Sequence, residues 1–276
     1  MYSSQKYFRN NKTLPVDKFF KNVLYDKKFG YYASKNPFGK NGDFITAPKI
    51  SNLFSEILAI WIISAWENFG KPKNLDIIEL GPGDGSLMKV LLSIFKKFPE
   101  FDVAKNIYMY ETSVKLKKKQ QTVLKNKKIK WIKNFKKIKK GPVIFFGNVF
   151  FDAIPIKQFK RTNKDLFEKN YILEKSFKVR EIYKSVSLKQ KKNINEFDTL
   201  KKLKFIEFPK LGLVELKKIS DKISELNGCF LMIDYGYTKP NNQDTLQSVI
   251  KHKKNAVLKN LGKADVTSHV NFTLIK

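Results

Sequence analysis

The chain has 276 residues, 42% of them hydrophobic with 24 phenylalanines, and a net charge of +30; it is therefore a folded protein, one elaborated domain or two small ones, and not a disordered tail. A single cysteine, Cys229, excludes an internal disulfide framework and a thiolate metal cluster. Two histidines, His252 and His269, are poor material for a zinc site.

The opening, MYSSQKYFRNNK, is basic with no apolar core behind it. That is no signal-peptide pattern, and the expected location is cytoplasmic, or the mitochondrial matrix if the source is eukaryotic. LPVDKFFKNVLY has helical spacing with Pro15 near its start. GYYASKNPFGKNGDFITAP, residues 30–48, reads as a loop. NLFSEILAIWIISAW, residues 52–66, carries Glu56 and is too short to span a bilayer, so it predicts a buried or amphipathic helix, ended by Gly70. From residue 75 strands and helices alternate: LDIIEL, SLMKVLLSIFKKF, NIYMYE, SVKLKKKQQTVL, KIKWI, then the long apolar PVIFFGNVF. The lysine-rich KKIKWIKNFKKIKK (127–140) predicts a surface connection. A stretch without that rhythm follows, with β-like segments (YILEKSFKVREIY) and a late helix (LVELKKISDKISEL), before CFLMIDYG returns to the buried-strand type. The pattern predicts an α/β doubly wound sheet with an insertion between its fourth and fifth strands. The expected divisions are a helical N-terminal region 1–70, a first core part 71–156, an insertion 157–227 and a second core part 228–276.

In such a sheet, ligands sit beyond the carboxyl ends of strands. ELGPGDGS lies there, after the first strand. Gly81, Gly83 and Gly85 permit close backbone approach and positive φ. The turn is no P-loop, because no Gly-Lys-Ser/Thr follows, and the spacing G-x-G-x-G differs from the dinucleotide G-x-G-x-x-G. Glu79, just before the glycines, suits a ligand with a positive group better than a diphosphate. A methionine-derived ligand with an ammonium and a sulfonium fits. Glu111, ending the next strand, can accept hydrogen bonds from both ribose hydroxyls. Together these features favour an adenosyl cofactor.

Five blocks, in order, then carry a specific resemblance: GDFITAPKISNLFSEILAIW, ELGPGDGSLM, GNVFFDAIPIKQF, MIDYGY and DTLQSVIKHKKNAVLKNLGKADVTSHVNF. The chain resembles the MidA-type methyltransferases, which include the mitochondrial complex I assembly protein-arginine methyltransferase, over roughly residues 17–160 and 228–272. The resemblance implies a Rossmann-like class I fold, S-adenosyl-L-methionine as cofactor, and a protein arginine, on a complex I subunit, as acceptor. It places Gly81, Gly83 and Gly85 under the methionine half, Glu79 near the ammonium and Glu111 at the ribose. Thr46 and Pro48 would close over the cofactor, with Asp43 either shaping that loop or forming an Asx turn. Asn148 would stand where transfer occurs. Asp152, in the turn completed by Pro155, would orient a guanidinium or serve as a cap or brace. Asp234, beside Tyr235, would be a second acceptor carboxylate or a brace. For His252 and His269 structural hydrogen bonds are expected, and for Cys229 a buried apolar role. The resemblance also admits a homodimer.

Two departures qualify the expectation. The family has an acidic residue directly after the strand-end asparagine, where this chain has Val149, and members continue well past the block that ends near Lys276. A cofactor-binding assembly factor without transfer activity is therefore the second reading. An RNA methyltransferase is the third: the charge favours it, yet arginine is scarce, no nucleic-acid motif is present, and the lysines read as a compositional bias.

Overall fold

The structure is a computed structural model, and it describes residues 4–35, 37, 43, 52–125, 128–163, 165–239 and 242–275. Its principal strands, in chain order, are β1 (Thr13–Pro15), β2 (Leu75–Leu80), β3 (Lys105–Tyr110), β4 (Lys130–Ile132), β5 (Val143–Asn148), β6 (Lys157–Arg161), β7 (Leu166–Leu173), β8 (Val179–Ser185), β9 (Phe205–Phe208) and β10 (Gly228–Ile233). The chain forms two compact units. Asn36–Phe150 and Glu215–Ile233 make one; Met1–Lys35, Phe151–Val214 and Asp234–Lys276 make the other.

The first of these holds a parallel sheet in the order β10-β5-β2-β3-β4. Every residue of β2 is buried, as its near-continuous apolar run requires of a strand covered on both faces. Helix Asn52–Asn68 supplies Leu58, Ile62 and Trp66 to this core, and helix Ser86–Phe95 supplies Met88, Leu91 and Phe95. Trp66 and Phe95 each meet Phe101 edge-on, with ring centroids 5.4 and 4.8 Å apart. The Trp66 indole N–H donates to the Pro72 carbonyl at 2.9 Å, which satisfies the polar end of the ring. Gly70 takes φ +81° and ends the helical segment, as the sequence predicts. The Rossmann-like α/β expectation holds, and the insertion falls between the fourth and fifth strands in chain order, β5 and β10.

The other unit is built on an antiparallel sheet, β1-β7-β6-β9, with β8 paired to β7. YILEKSFKVREIY forms the turn side of the β7–β8 hairpin. Helix Val16–Tyr25 starts directly after Pro15, whose fixed φ suits a helix start, and buries Phe19 and Phe20 against Tyr171 of β7. A second cluster forms around Phe159, Ile194 and Ile206. Among these apolar side chains lies a charge: the Lys157 ammonium donates to Asp17 at 3.3 Å and to Glu168. Lys169 is held likewise by Glu181 and Asp244, both at 2.9 Å. A lysine so buried persists only when paired, since removing one partner strands the others' charge in a medium of low dielectric.

Lys157→Ala is expected to lower the unfolding free energy by about 3 kcal/mol or more, read from the urea midpoint. The triple change Lys157→Met, Asp17→Asn, Glu168→Gln should recover most of that loss, and a triple variant as unstable as the single one would refute the charge argument.

Candidate functional site

The turn after β2 runs through three left-handed glycines, Gly81 at φ +58°, Gly83 at +56° and Gly85 at +85°. Any other residue would be strained there. The Gly81 N–H donates to the Tyr110 carbonyl at 3.2 Å, which ties the turn to the end of β3. A methyl group at Gly81 would lie 2.8 Å from the Phe150 ring. Gly85 precedes helix Ser86–Phe95, and Asp84 Oδ1 accepts from the Ser86 N–H at 3.1 Å, satisfying one of the amides a helix start leaves without a partner.

Two carboxyls flank this turn. Glu79 is 2% exposed, and its Oε2 is buried without a hydrogen bond. Burial first, and the nearby charge of Asp84 second, push its carboxyl up to about 8. Glu111 follows β3 and is already oriented: Oε1 accepts from the Ser113 N–H at 2.7 Å and Oε2 from the Gln120 amide at 3.0 Å. Burial raises its carboxyl, and these donors pull in the opposite direction. The Gln120 amide also donates to the Gly83 carbonyl at 2.8 Å, and its Oε1 accepts from the Trp131 indole at 2.8 Å. Asn148 is the last residue of β5, half-buried and in register with Ile233 of β10.

In the other unit, Asp234 acts as a brace. Its Oδ2 accepts from the backbone N–H of Phe151 (2.8 Å) and of Asp152 (3.3 Å), and its Oδ1 from that of Tyr235 (2.9 Å). Asp152 is 5% exposed, and its Oδ1 is buried with no hydrogen bond. Burial, then the charges of Asp234 and Asp265, raise its carboxyl well above the ordinary range. Asp265 accepts from the Tyr32 hydroxyl at 3.1 Å.

Thr46 and Pro48 lie outside the described residues. Asp43 is buried, and its N–H donates to the Pro37 carbonyl at 2.8 Å. Tyr235 is exposed. His252 is an exposed turn residue at φ +61°. His269 is also exposed, and its backbone N–H donates to the Thr245 hydroxyl at 2.9 Å. Cys229 is half-buried in β10, and burial raises its thiol. Val149 takes φ +59°, a left-handed conformation uncommon for a β-branched residue, with its N–H donating to Ile233 at 2.8 Å. Sequence reasoning missed Gln120, Trp131, Asp265 and Tyr32. For Gln120 the one usable signal was its position four residues after Leu116, on the same helix face.

The donor set fits an adenosyl cofactor with an ammonium at one end. A cation offers the buried Glu79 oxygen the partner it lacks, and the Glu111 carboxylate keeps lone pairs for ribose hydroxyls. A profile of the family described as "Putative S-adenosyl-L-methionine-dependent methyltransferase" matches residues 57–276. The chain belongs to this family. It is 28% identical over 292 residues to the protein arginine methyltransferase NDUFAF7 of Xenopus tropicalis, covering 95% of this chain and 66% of that protein. It is 30% identical to the NDUFAF7 homologue of Caenorhabditis elegans, covering 95% and 68%. The human relative is 28% identical, with 95% and 65% covered. The chain thus spans about two thirds of the length of the curated relatives it matches. These relatives are named mitochondrial, and no described helix here is long and apolar enough to cross a membrane. A solved chain from Burkholderia thailandensis, bound to S-adenosyl-homocysteine, shares the fold at TM-score 0.79 and 20% identity, covering 96% of this chain and 70% of its own.

Glu79 ties the stability of the folded chain to pH. Its folded value of about 8 stands above the ordinary 4.5, so the folded chain holds a proton that the unfolded chain has released. Stability from this group therefore falls as pH rises from 4.5 to about 8. Glu79→Gln is expected to flatten that part of a melting-temperature profile, and an unchanged slope would contradict the assignment. Val149→Gly should relieve a strained backbone, and a gain of about 1 kcal/mol in unfolding free energy, read from the urea transition, is expected.

Proposed function

We propose that this chain transfers a methyl group from S-adenosyl-L-methionine to a protein arginine, on a subunit of respiratory complex I. The observation that carries the cofactor half is the glycine turn set between the unpartnered Glu79 and the pre-oriented Glu111. The NDUFAF7 names of the relatives support the acceptor class. We carry a homodimer in this reading without assigning it a face.

When bound, the cofactor supplies a methyl carbon activated by a positive sulfur. The protein's task is alignment, since attack must come in line with the carbon–sulfur bond. Gly81, Gly83 and Gly85 let the backbone approach the methionine half. Glu79 receives the ammonium and gives up its proton as it does so. Glu111 would hold the ribose and Asn148 would orient groups near the transferred carbon; the resemblance gives Thr46 and Pro48 the part of covering the cofactor. Asp152 would receive the guanidinium, whose fork suits carboxylate oxygens, and Asp234, the other carboxylate the resemblance offers, would hold the Phe151–Asp152 backbone that presents it. A guanidinium reaching Asp152 would ionise that carboxyl and pair its bare oxygen. Transfer to an acceptor nitrogen would form the nitrogen–carbon bond as the carbon–sulfur bond breaks, leaving S-adenosylhomocysteine and releasing one proton from the nitrogen.

A second reading has a specific observation behind it. Val149 stands where the resemblance calls for an acidic residue, which favours a cofactor-binding assembly factor that does not transfer methyl groups.

Calorimetric titration with S-adenosyl-L-methionine separates these readings when combined with transfer of labelled methyl to arginine peptides. Binding should be lost in Gly83→Val, and below pH 8 wild-type binding should release a proton that Glu79→Gln does not release. Binding with no methyl transfer would establish the assembly-factor reading, and no binding by the wild-type chain would sink both.

A further inference from the structure

Gln120 is a buried polar side chain to which the reading just given assigns no role. It is fully buried, in a helix (Val114–Leu124) that carries four lysines and otherwise buries Leu116 alone. A primary amide has two N–H donors and a carbonyl acceptor, and all three directions are used. One N–H meets the Gly83 carbonyl at 2.8 Å, the other meets Glu111 Oε2 at 3.0 Å, and Oε1 accepts from the Trp131 indole at 2.8 Å. The indole can only donate. It therefore fixes which end of the amide is oxygen, and the flipped amide would set oxygen against two acceptors. The stem of the same side chain packs on the turn: a methyl group at Gly85 would stand 3.4 Å from Gln120 Cα and 3.5 Å from its Cγ.

We propose that Gln120, oriented by Trp131, is a positioning residue that locks the Glu111 carboxylate and the glycine turn into one register and thereby sets recognition of the cofactor's ribose. This rests on the cofactor reading above. Gln120 touches the two binding elements and not the reacting atoms. Its N–H holds one Glu111 oxygen while the Ser113 N–H holds the other, so the carboxylate plane cannot rotate. With the plane fixed, the lone pairs left over point in set directions, and both ribose hydroxyls can be met together. The hydrogen bond also favours the ionised carboxylate against the pull of burial, as a charge-assisted bond should.

The test compares S-adenosylhomocysteine with its 2′-deoxyadenosyl analogue by calorimetry, on the full chain and on Gln120→Leu. The wild-type chain should prefer the ribose form. Gln120→Leu should bind it about 10- to 100-fold more weakly, the range for a lost hydrogen bond to a charged group, and the preference over the deoxy analogue should shrink. The fall in affinity at low pH should move to higher pH, because Glu111 loses a donor. A merely structural role would weaken both ligands equally. Equal weakening, unchanged affinity, or a wild-type chain with no ribose preference would each overturn the proposal. Trp131→Phe keeps the ring and removes only the orienting N–H, so it serves if Gln120→Leu does not fold. A smaller loss with the same shrinking preference is expected there, and an unchanged preference overturns the proposal. A wild-type chain that binds neither ligand would instead overturn the cofactor reading, and this inference with it.

Discussion

Parallel pairing is the constraint on which the rest of this protein depends. Once β2 lies beside β3 on one side and β5 on the other, and β10 beside β5, all these strands must end at the same edge of the sheet. Whatever follows each strand is delivered there: the glycine turn after β2, Glu111 after β3, Asn148 at the tip of β5. The chain contributes these groups from positions far apart in sequence, and the ladder makes them neighbours in register. The full burial of β2 keeps that register single, because a slipped strand would break the hydrogen-bond ladder and displace the turn it carries.

Burying carboxyls is the second theme, and the protein treats them in two ways. Glu111 and Asp234 each hold an N–H donor on both oxygens and so are fixed in place. Glu79 and Asp152 each keep a buried oxygen without any donor, and both are shifted upward by burial and by neighbouring negative charge. The first pair suits orientation of neutral hydroxyls or backbone. The second pair is a standing demand for positive charge, since an unsatisfied buried acceptor is costly until something meets it.

Much of this was legible in the sequence. The apolar runs LDIIEL and PVIFFGNVF announced strands covered on both faces, and the spacing of Gly81, Gly83 and Gly85 pointed to a turn that the backbone dihedrals bear out. Glu79 and Glu111 stood out because acidic residues at strand ends are conspicuous. Gln120 did not, because SVKLKKKQQTVL reads as a surface helix and an amide's burial depends on partners distant in sequence. Lys157 and Lys169 were hidden for a related reason. In a chain with 55 lysines and arginines, nothing local marks Lys157 and Lys169 as facing inward. The pairing of β1 with β7 was equally invisible, since three residues carry no periodicity and their partner strand lies in the insertion.

That pairing carries a consequence for how the protein is made. The unit containing β1 is assembled from three stretches of chain, and its ties are long: the Tyr7 hydroxyl donates to the Leu261 carbonyl, and Ser4 to the Phe177 carbonyl. At ribosomal speeds of about 5–20 residues per second, the first stretch waits on the order of tens of seconds for its last partner. During that interval Phe8, Phe19 and Phe20, all buried in the finished protein, have no complete surface to pack against. Burial of the N-terminal segment therefore cannot be completed until Leu261 has been made.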